Sequence, residues 1–167
     1  MHFLMKILGI DQSFTSTGVV MLEDGALLTA HKFTASKSVN RFAQAYEITI
    51  HLAGIVDEFK PDIIAIEGLA FGMRGNVTRD LGGLQFVIIS HLQEVKGREI
   101  DIIAPTSAKK FATGSGRAKK EDMIDSLPKS VYSYFTGLGV KKTTGLSDLA
   151  DAYWIAKTAE ANNIKGN

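Results

Sequence analysis

Four acidic residues of this sequence follow or lie within apolar segments, where a carboxylate is unfavourable without a specific partner. Asp11 and Glu67 each follow a short apolar run, whereas Asp148 and Asp151 lie three residues apart in the last periodic apolar segment. An ionised carboxylate is costly to bury unless it is paired or bound to a cation. Each place also has an ordinary interpretation, because Asp is common in turns and acids are favoured in the first turn of a helix. Taken singly, none of them establishes a site.

The four carboxylates could do chemistry if the fold brought them together. Asp11 and Glu67 would emerge side by side if their strands are neighbours, and Asp148 and Asp151 share one face of a helix. Such a cluster repels itself, and two Mg²⁺ ions would neutralise its charge. Carboxylate oxygens suit Mg²⁺ or its substitute Mn²⁺, and paired ions stabilise both the attacking and the leaving oxygen of a phosphoryl displacement. The chemistry that this predicts is phosphodiester hydrolysis.

Hydrophobic periodicity predicts the elements that position these acids. Five short apolar or alternating runs are typical of strands: Lys6–Asp11, Thr17–Leu22, Ala26–Phe33, Ile63–Glu67 and Ile100–Ile103. The Asp24-Gly25 pair between the second and third runs is a hairpin signal. Apolar residues at helical spacing predict long helices over Phe42–Phe59 and Val77–Val95, a helix start at Pro105–Ser107 and a short helix over Lys119–Leu127.

The last helix is predicted from Asp148 to about Ala161, with Ser147 as its N-cap. Residues 128–144 show no clear pattern and receive no assignment. Antiparallel hairpins followed by strand–helix–strand crossovers predict an α/β fold. We therefore expect a mixed five-stranded sheet, with three antiparallel strands followed by parallel crossovers and helices on both faces. The length fits one domain over residues 1–167.

Composition narrows the class of protein. The chain is 45% hydrophobic, with 19 basic and 18 acidic residues, which is ordinary for a soluble globular fold. It has no cysteine, which excludes disulfides, thiolate metal sites and thiol catalysis. Its apolar runs are too short to span a membrane, and the N-terminus lacks the pattern of a signal peptide. We expect a cytoplasmic protein with no membrane partner.

Basic residues are concentrated in one segment. Between Pro105 and Lys120 there are five basic residues and no acid: Lys109, Lys110, Arg117, Lys119 and Lys120. The rest of the chain has 14 basic against 18 acidic residues, so a near-neutral total conceals a basic patch. Such a patch supplies sequence-independent affinity for nucleic acid. A solvated charged face is the alternative interpretation.

Three motifs together resemble the RuvC family of Holliday-junction resolvases. They are Gly9–Asp11 with the Ser/Thr-rich turn that follows it, Ile64–Glu67 at the end of a strand, and Ser147–Ala152 at the start of the last helix. Their order, their spacing and the chain length agree with that family over essentially the whole sequence. The resemblance implies a ribonuclease H-like fold and a metal-binding role for Asp11, Glu67, Asp148 and Asp151.

The resemblance also implies an activity and partners. The expected substrate is branched DNA, chiefly four-way junctions, which two symmetric cuts would resolve to 5′-phosphate and 3′-hydroxyl ends. Two matched cuts imply a homodimer, and we assign its interface to the apolar face of the Val77–Val95 helix. The basic segment is expected to contact DNA, together with Arg74 and with Phe71, which could stack on an unpaired base. Phe71 could equally be a core residue.

The sequence departs from better-known bacterial members of that family directly after the first acid. It has Gln12-Ser13 where a Pro-Gly pair is usual, and the segment after Glu67 also differs. These departures suggest a divergent, bacteriophage-type member, acting in a bacterial cell or, if phage-encoded, in the host cytoplasm. They leave junction selectivity and base preference open.

Two other functions start from the same opening strand. Actin-like sugar kinases and ATPases also begin with a Gly-Ile-Asp strand and a Ser/Thr-rich hairpin, but two lobes around a nucleotide need a longer chain. A non-catalytic junction-binding protein could share the fold. Such a binder would gain DNA affinity by losing the four acids, all of which are present here.

Overall fold

Five strands form one mixed sheet in the computed structural model, which describes residues 4–37, 39–69 and 75–165. In chain order the strands are β1 (Lys6–Asp11), β2 (Thr17–Glu23), β3 (Ala26–Phe33), β4 (Ile63–Glu67) and β5 (Ile100–Ile103). Their order across the sheet is β3-β2-β1-β4-β5. β1, β2 and β3 pair antiparallel, whereas β4 pairs parallel to both β1 and β5. The expected sheet is confirmed, with β1 and β4 as neighbours.

The helices follow the predicted order, with one addition. They are α1 (Arg41–Phe59), α2 (Asn76–Ser90), α3 (Pro105–Thr113), α4 (Lys120–Asp125), α5 (Lys129–Gly137) and α6 (Ser147–Lys165). A π-helical turn, His91–Val95, continues α2, and a second one, Lys142–Leu146, leads directly into α6. In the described residues, no helix is both long enough and apolar enough to cross a membrane.

The sheet separates two hydrophobic cores, so helices do cover both of its faces. On one face α1 and α2 pack against side chains such as Leu8, Ile10 and Ile66. On the other face α6, with α3, α4 and α5 around it, packs against side chains such as Ile7 and Val20. Alternate residues of β1 therefore contribute to opposite cores, as expected for a central strand buried on both sides.

The apolar stripes of the two long helices are partly outside these cores. In α1, Ile48, Leu52 and Val56 are buried as the spacing predicts, but Phe42 is 88% exposed. It lies in the first turn, beside the N-cap Asn40, whose side chain accepts a hydrogen bond from the Ala43 N–H at 2.9 Å. The helix therefore begins at the margin of the core. The periodic apolar pattern in the sequence continues into a first turn that does not pack against the sheet.

Two details of the sequence prediction change in the region before α6. Residues 128–144, which received no assignment, contain α5, and Val131 and Phe135 of that helix are buried. The N-cap prediction for Ser147 is wrong, because Ser147 has helical backbone angles and continues the π-helical turn before it. Its buried hydroxyl has no hydrogen-bond partner within the described part of the chain. The start of α6 cannot be read from apolar periodicity, because the residues that precede Ser147 are also helical.

Candidate active site

All four predicted acids line one cleft at the end of β1 and β4. The cleft has a volume of about 430 Å³, and its lining includes Asp11, Glu67, Asp148 and Asp151. β1 and β4 bring the first pair there, and the first turn of α6 brings the second pair. The structure therefore brings together residues that are up to 140 positions apart in the sequence.

Asp11 and Glu67 form the sheet half of the cleft, positioned by parallel strand pairing. The register places Ile10 opposite Ile66, so the next residue of each strand is one of the two acids. Their side chains are hydrogen-bonded to each other. Burial raises the pKa of Asp11 well above its usual value, and repulsion from Glu67, Asp151 and Asp148 adds to this shift. A hydrogen bond between two carboxyl groups needs a proton on one of them, which the raised pKa of Asp11 favours.

The pKa of Glu67 is also raised, but opposing influences act on it. Burial raises this pKa, whereas the hydrogen bond from Asp11 and the charges of Lys109 and Lys120 lower it. Glu67, like Asp11, therefore prefers its protonated form more than a free carboxylic acid does.

Asp148 and Asp151 form the helix half of the cleft, and two glycines let α6 approach the sheet closely. A Cβ atom on Gly9 would lie 2.2 Å from the Ala152 carbonyl oxygen, and one on Gly18 would lie 2.4 Å from the Asp148 carbonyl oxygen. Both distances are far inside van der Waals contact, so any larger residue would displace the helix. The start of α6 thus rests directly on the backbone of β1 and β2.

The side chains of Asp148 and Asp151 are less deeply buried than that of Asp11. The Ser16 hydroxyl donates a hydrogen bond to Asp148 Oδ2. Burial raises the pKa of Asp148, against which the Ser16 hydrogen bond, Lys120 and Lys32 act. Burial, followed by the charge of Glu67, raises the pKa of Asp151 to about 7, although Lys120 and Lys109 lower it. All four acids thus prefer their protonated form more than a free carboxylic acid does.

The predicted basic residues divide into two groups. Lys109 of α3 and Lys120 of α4 line the cleft with the acids. Lys110, Arg117 and Lys119 are exposed and do not contribute to its lining. Phe71 and Arg74 lie outside the described residues. The basic segment therefore presents two lysines to the acids and three cations to the surrounding surface.

Several polar residues near the acids were not predicted as site residues. Gln12 lines the cleft, Ser16 holds Asp148, and the charge of Lys32 acts on Asp148 from β3. Two of these residues had some indication in the sequence. Gln12 departs from the family pattern, and Ser16 belongs to the polar turn after Asp11. Lys32 gave no signal, because only the pairing of β2 with β3 places it opposite Gly18.

The donor set suits a hard divalent cation. Four carboxylates offer only oxygen ligands, which Mg²⁺, Mn²⁺ and Ca²⁺ prefer. Burial raises the pKa of each member, repulsion adds to the shift at Asp11 and Asp151, and a bound cation would oppose both influences. Within residues 4–37, 39–69 and 75–165, no three acidic or histidine side chains already have the spacing of a metal-ligand group. Three of the four carboxyl groups instead make hydrogen bonds within the protein: Asp11 with Glu67, and Asp148 with Ser16.

Comparison with known proteins gives concordant results. The model of the family described as crossover junction endodeoxyribonuclease RuvC matches residues 7–158. The RuvC crossover junction endodeoxyribonuclease of Caldicellulosiruptor saccharolyticus is 27% identical over 157 residues, covering 91% of this chain and 90% of that protein. Its counterpart in Campylobacter concisus is 28% identical over 166 residues, covering 98% of this chain and 100% of that protein.

Solved structures of junction resolvases share the fold. Thermus thermophilus RuvC in complex with a Holliday junction substrate aligns with a TM-score of 0.75 at 23% identity, over 97% of this chain and 96% of that chain. The fowlpox virus resolvase in complex with Holliday junction DNA aligns with a TM-score of 0.64 at 16% identity, over 96% of this chain and 99% of that chain. At these identities the likeness concerns the fold.

Proposed function

This chain belongs to the RuvC family of crossover junction endodeoxyribonucleases, and we propose that it resolves four-way DNA junctions by metal-dependent phosphodiester hydrolysis. The observation that carries the proposal is the meeting of Asp11, Glu67, Asp148 and Asp151 in one cleft. The family match over residues 7–158 does not favour an actin-like kinase. Retention of all four acids does not favour a protein that only binds junctions, because acids in the cleft repel DNA.

We propose that the four carboxylates hold two divalent cations, Mg²⁺ with Mn²⁺ as a substitute. Cations held by these residues would supply activation of the attacking water and stabilisation of the leaving 3′ oxygen, the chemistry that gives 5′-phosphate and 3′-hydroxyl ends. The protein's own contribution is to keep four oxygen ligands close together despite their repulsion. Asp11 and Glu67 both have raised pKa values and must be ionised to bind a cation, so cation binding is expected to release protons.

The basic residues are proposed to bind the DNA backbone in two ways. Lys109 and Lys120 lie among the acids and would hold the phosphate that is cut. The exposed Lys110, Arg117 and Lys119 would contact flanking phosphates, an interaction that weakens as salt concentration rises. Phe71 and Arg74, in the segment after Glu67, remain predicted DNA contacts.

Two symmetric cuts require two active sites, and we propose a homodimer for this purpose. The predicted Val77–Val95 surface divides, since Leu84, Ile88 and Leu92 are buried whereas Val77, Phe86 and Val95 are exposed. Phe42 of α1 and Val87 of α2 line a neighbouring groove of about 490 Å³. We assign the dimer contact to this exposed apolar surface of α1 and α2, since large exposed apolar patches mark association surfaces.

The substitution Asp11→Asn tests the proposed chemistry. Asn keeps the size of the side chain but removes a charged ligand, so cleavage of a fluorescent four-way junction in Mg²⁺ should fall more than about 100-fold, beyond the loss expected from a residue that only supports a ligand. Junction binding measured with chelator should be retained, because Asn adds no negative charge to the cleft.

The matched control is Asp125→Asn, which changes an exposed acid of α4 that does not line the cleft. It should cleave at the wild-type rate. Cleavage by Asp11→Asn at the wild-type rate would contradict the assignment. Equal cleavage of linear duplex and four-way junction by the wild type would contradict the proposed substrate.

A further inference from the structure

Two side-chain amides converge on one main-chain oxygen beneath the cleft. Gln12 Nε2 donates a hydrogen bond to the Glu67 carbonyl oxygen at 3.0 Å, and Gln85 Nε2 of α2 donates to the same oxygen at 2.7 Å. Glu67 is one of the four acids of the proposed site. The backbone that carries its carboxylate is therefore held from the residue after β1 and from α2 at the same time.

This contact occurs where the strand pairing stops. The register between β1 and β4 ends at Ile10 and Ile66, after which the chain of β1 turns away beyond Asp11. The Gln12 side chain donates to the Glu67 carbonyl oxygen just beyond the last residue pair of this ladder. On the other edge of β4, the Gly68 N–H donates to the Ile103 carbonyl oxygen at 2.7 Å. The end of β4 is thus fixed on both sides although its ladder to β1 has ended.

Gln12 is an unfavourable residue for stability alone. It is only 7% exposed, and its Oε1 is buried with no hydrogen-bond partner among the described residues. A buried acceptor without a partner carries an uncompensated desolvation cost, which an apolar side chain of similar size would avoid. The presence of an amide at this position is explained by the bond that its Nε2 makes to Glu67.

We propose that Gln12 and Gln85 are positioning residues that fix the Glu67 carboxylate relative to the Asp11 carboxylate for cation binding. Gln12 directly follows Asp11, so one dipeptide contacts both parts of Glu67: Asp11 bonds to its side chain and Gln12 to its main chain. The distance between the two carboxylates is then fixed by these amide hydrogen bonds, although the main-chain pairing of β1 and β4 has already ended. This inference rests on the proposed metal-dependent function of the same cleft.

The substitution Gln12→Leu separates positioning from stability. Leu removes the donor to Glu67 and also removes the unpartnered acceptor, so the metal-free thermal midpoint should be unchanged or higher. Mn²⁺ affinity, measured by calorimetry without DNA, should fall about tenfold, the lower end of what losing a residue behind a metal ligand causes. Junction cleavage should require a correspondingly higher Mn²⁺ concentration, with recovery at saturation.

The second donor provides an internal comparison. Gln85→Leu should weaken Mn²⁺ binding to a similar extent, because one amide still remains on the Glu67 carbonyl oxygen in each single variant. The double variant should lose more affinity than the two single losses combined, since residues that share one partner are not additive. Gln93→Leu, an exposed glutamine in the π-helical turn after α2, is the matched control and should bind Mn²⁺ as the wild type does.

Each outcome has a distinct meaning. Wild-type Mn²⁺ affinity in both single variants and in the double variant would overturn the positioning role while leaving the proposed function intact. A loss of affinity that follows a fall in the metal-free thermal midpoint would also overturn it, because the amides would then only support the fold. A wild-type protein that binds no divalent cation would instead overturn the proposed function itself.

Discussion

The two halves of the acidic cleft are built by different means. The sheet half, Asp11 and Glu67, is placed by the register of two neighbouring parallel strands. The helix half, Asp148 and Asp151, is placed by how closely α6 packs on the sheet, which depends on Gly18 and Gly9. Local sequence patterns predict the two strands of the first arrangement, whereas the second depends on contacts between residues about 130 positions apart.

The halves also differ in how their charges are managed. In the sheet half, the two acids bond to each other and the pKa of Asp11 rises furthest because it is the more deeply buried. In the helix half, the Ser16 hydroxyl donates to Asp148, and Asp151 lies at the junction of the two halves, where burial and then the charge of Glu67 raise its pKa. Repulsion between the halves therefore raises the pKa of both Asp11 and Asp151, and close packing of α6 keeps the halves together against it.

Separation of the two halves should have the largest effect, and Gly18→Ala is the change that tests it. The added Cβ would lie 2.4 Å from the Asp148 carbonyl oxygen, a backbone atom that cannot move without α6. We expect a loss of about 2 to 3 kcal/mol in the free energy of unfolding, the upper range for overpacking. Cleavage should fall more than about 100-fold, because misplacing reacting groups by about 1 Å has an effect of that size.

Gly54→Ala is the control for this experiment, because a Cβ there meets no atom within 4 Å. It lies inside α1, where Ala is a better helix former than Gly, so stability should stay the same or rise by up to about 1 kcal/mol. Wild-type stability and cleavage in Gly18→Ala would show that α6 tolerates displacement and that the helix half needs no close packing.

The same contrast explains how much of the site could be predicted from the sequence. The apolar runs before Asp11 and Glu67 predicted both strands, and the three-residue spacing predicted a shared face for Asp148 and Asp151. The supporting contacts of Gln12, Ser16 and Lys32 were not predicted, since each depends on which distant backbone or carboxylate lies beside it. The N-cap prediction for Ser147 was wrong because a π-helical turn precedes it. A periodic pattern of apolar residues does not distinguish a helix that begins at a cap from one that continues a preceding helical turn.

Burial and repulsion across the junction of the two halves both disfavour the ionised form of Asp151, so this acid should make stability depend on pH, and Asp151→Asn should remove its contribution. The pKa of Asp151 is about 7 in the folded protein and 3.8 ordinarily, so the folded state favours the protonated acid. The corresponding stability is fully present below about pH 4 and is lost as pH rises toward 7. Without metal, Asp151→Asn should match the wild type at pH 4 and exceed it at pH 8 by no more than about 4 kcal/mol.

Urea unfolding at both pH values, in chelator, measures this difference, and Asp125→Asn should show no pH-dependent gain because that acid is exposed. Added Mg²⁺ should reverse the order at pH 8, since a cation stabilises the ionised wild-type acid and not the amide. A gain for Asp151→Asn of the same size at pH 4 and pH 8 would mean that the repulsion between the halves does not act through this residue.

The smallest effect is expected within the helix half, from Ser16→Ala. The Ser16 hydroxyl donates to Asp148 Oδ2, and its loss should change the free energy of unfolding by about 1 kcal/mol or less. Cleavage should nevertheless fall about tenfold, because a carboxylate that is free to rotate must be ordered when the cation binds. Ser126→Ala, which removes a hydroxyl bonded to the Asp122 carbonyl oxygen in α4, should leave cleavage unchanged. If Ser16→Ala also cleaves normally, close packing of α6 is sufficient to place Asp148, and the two halves then differ only in which backbone contact positions them.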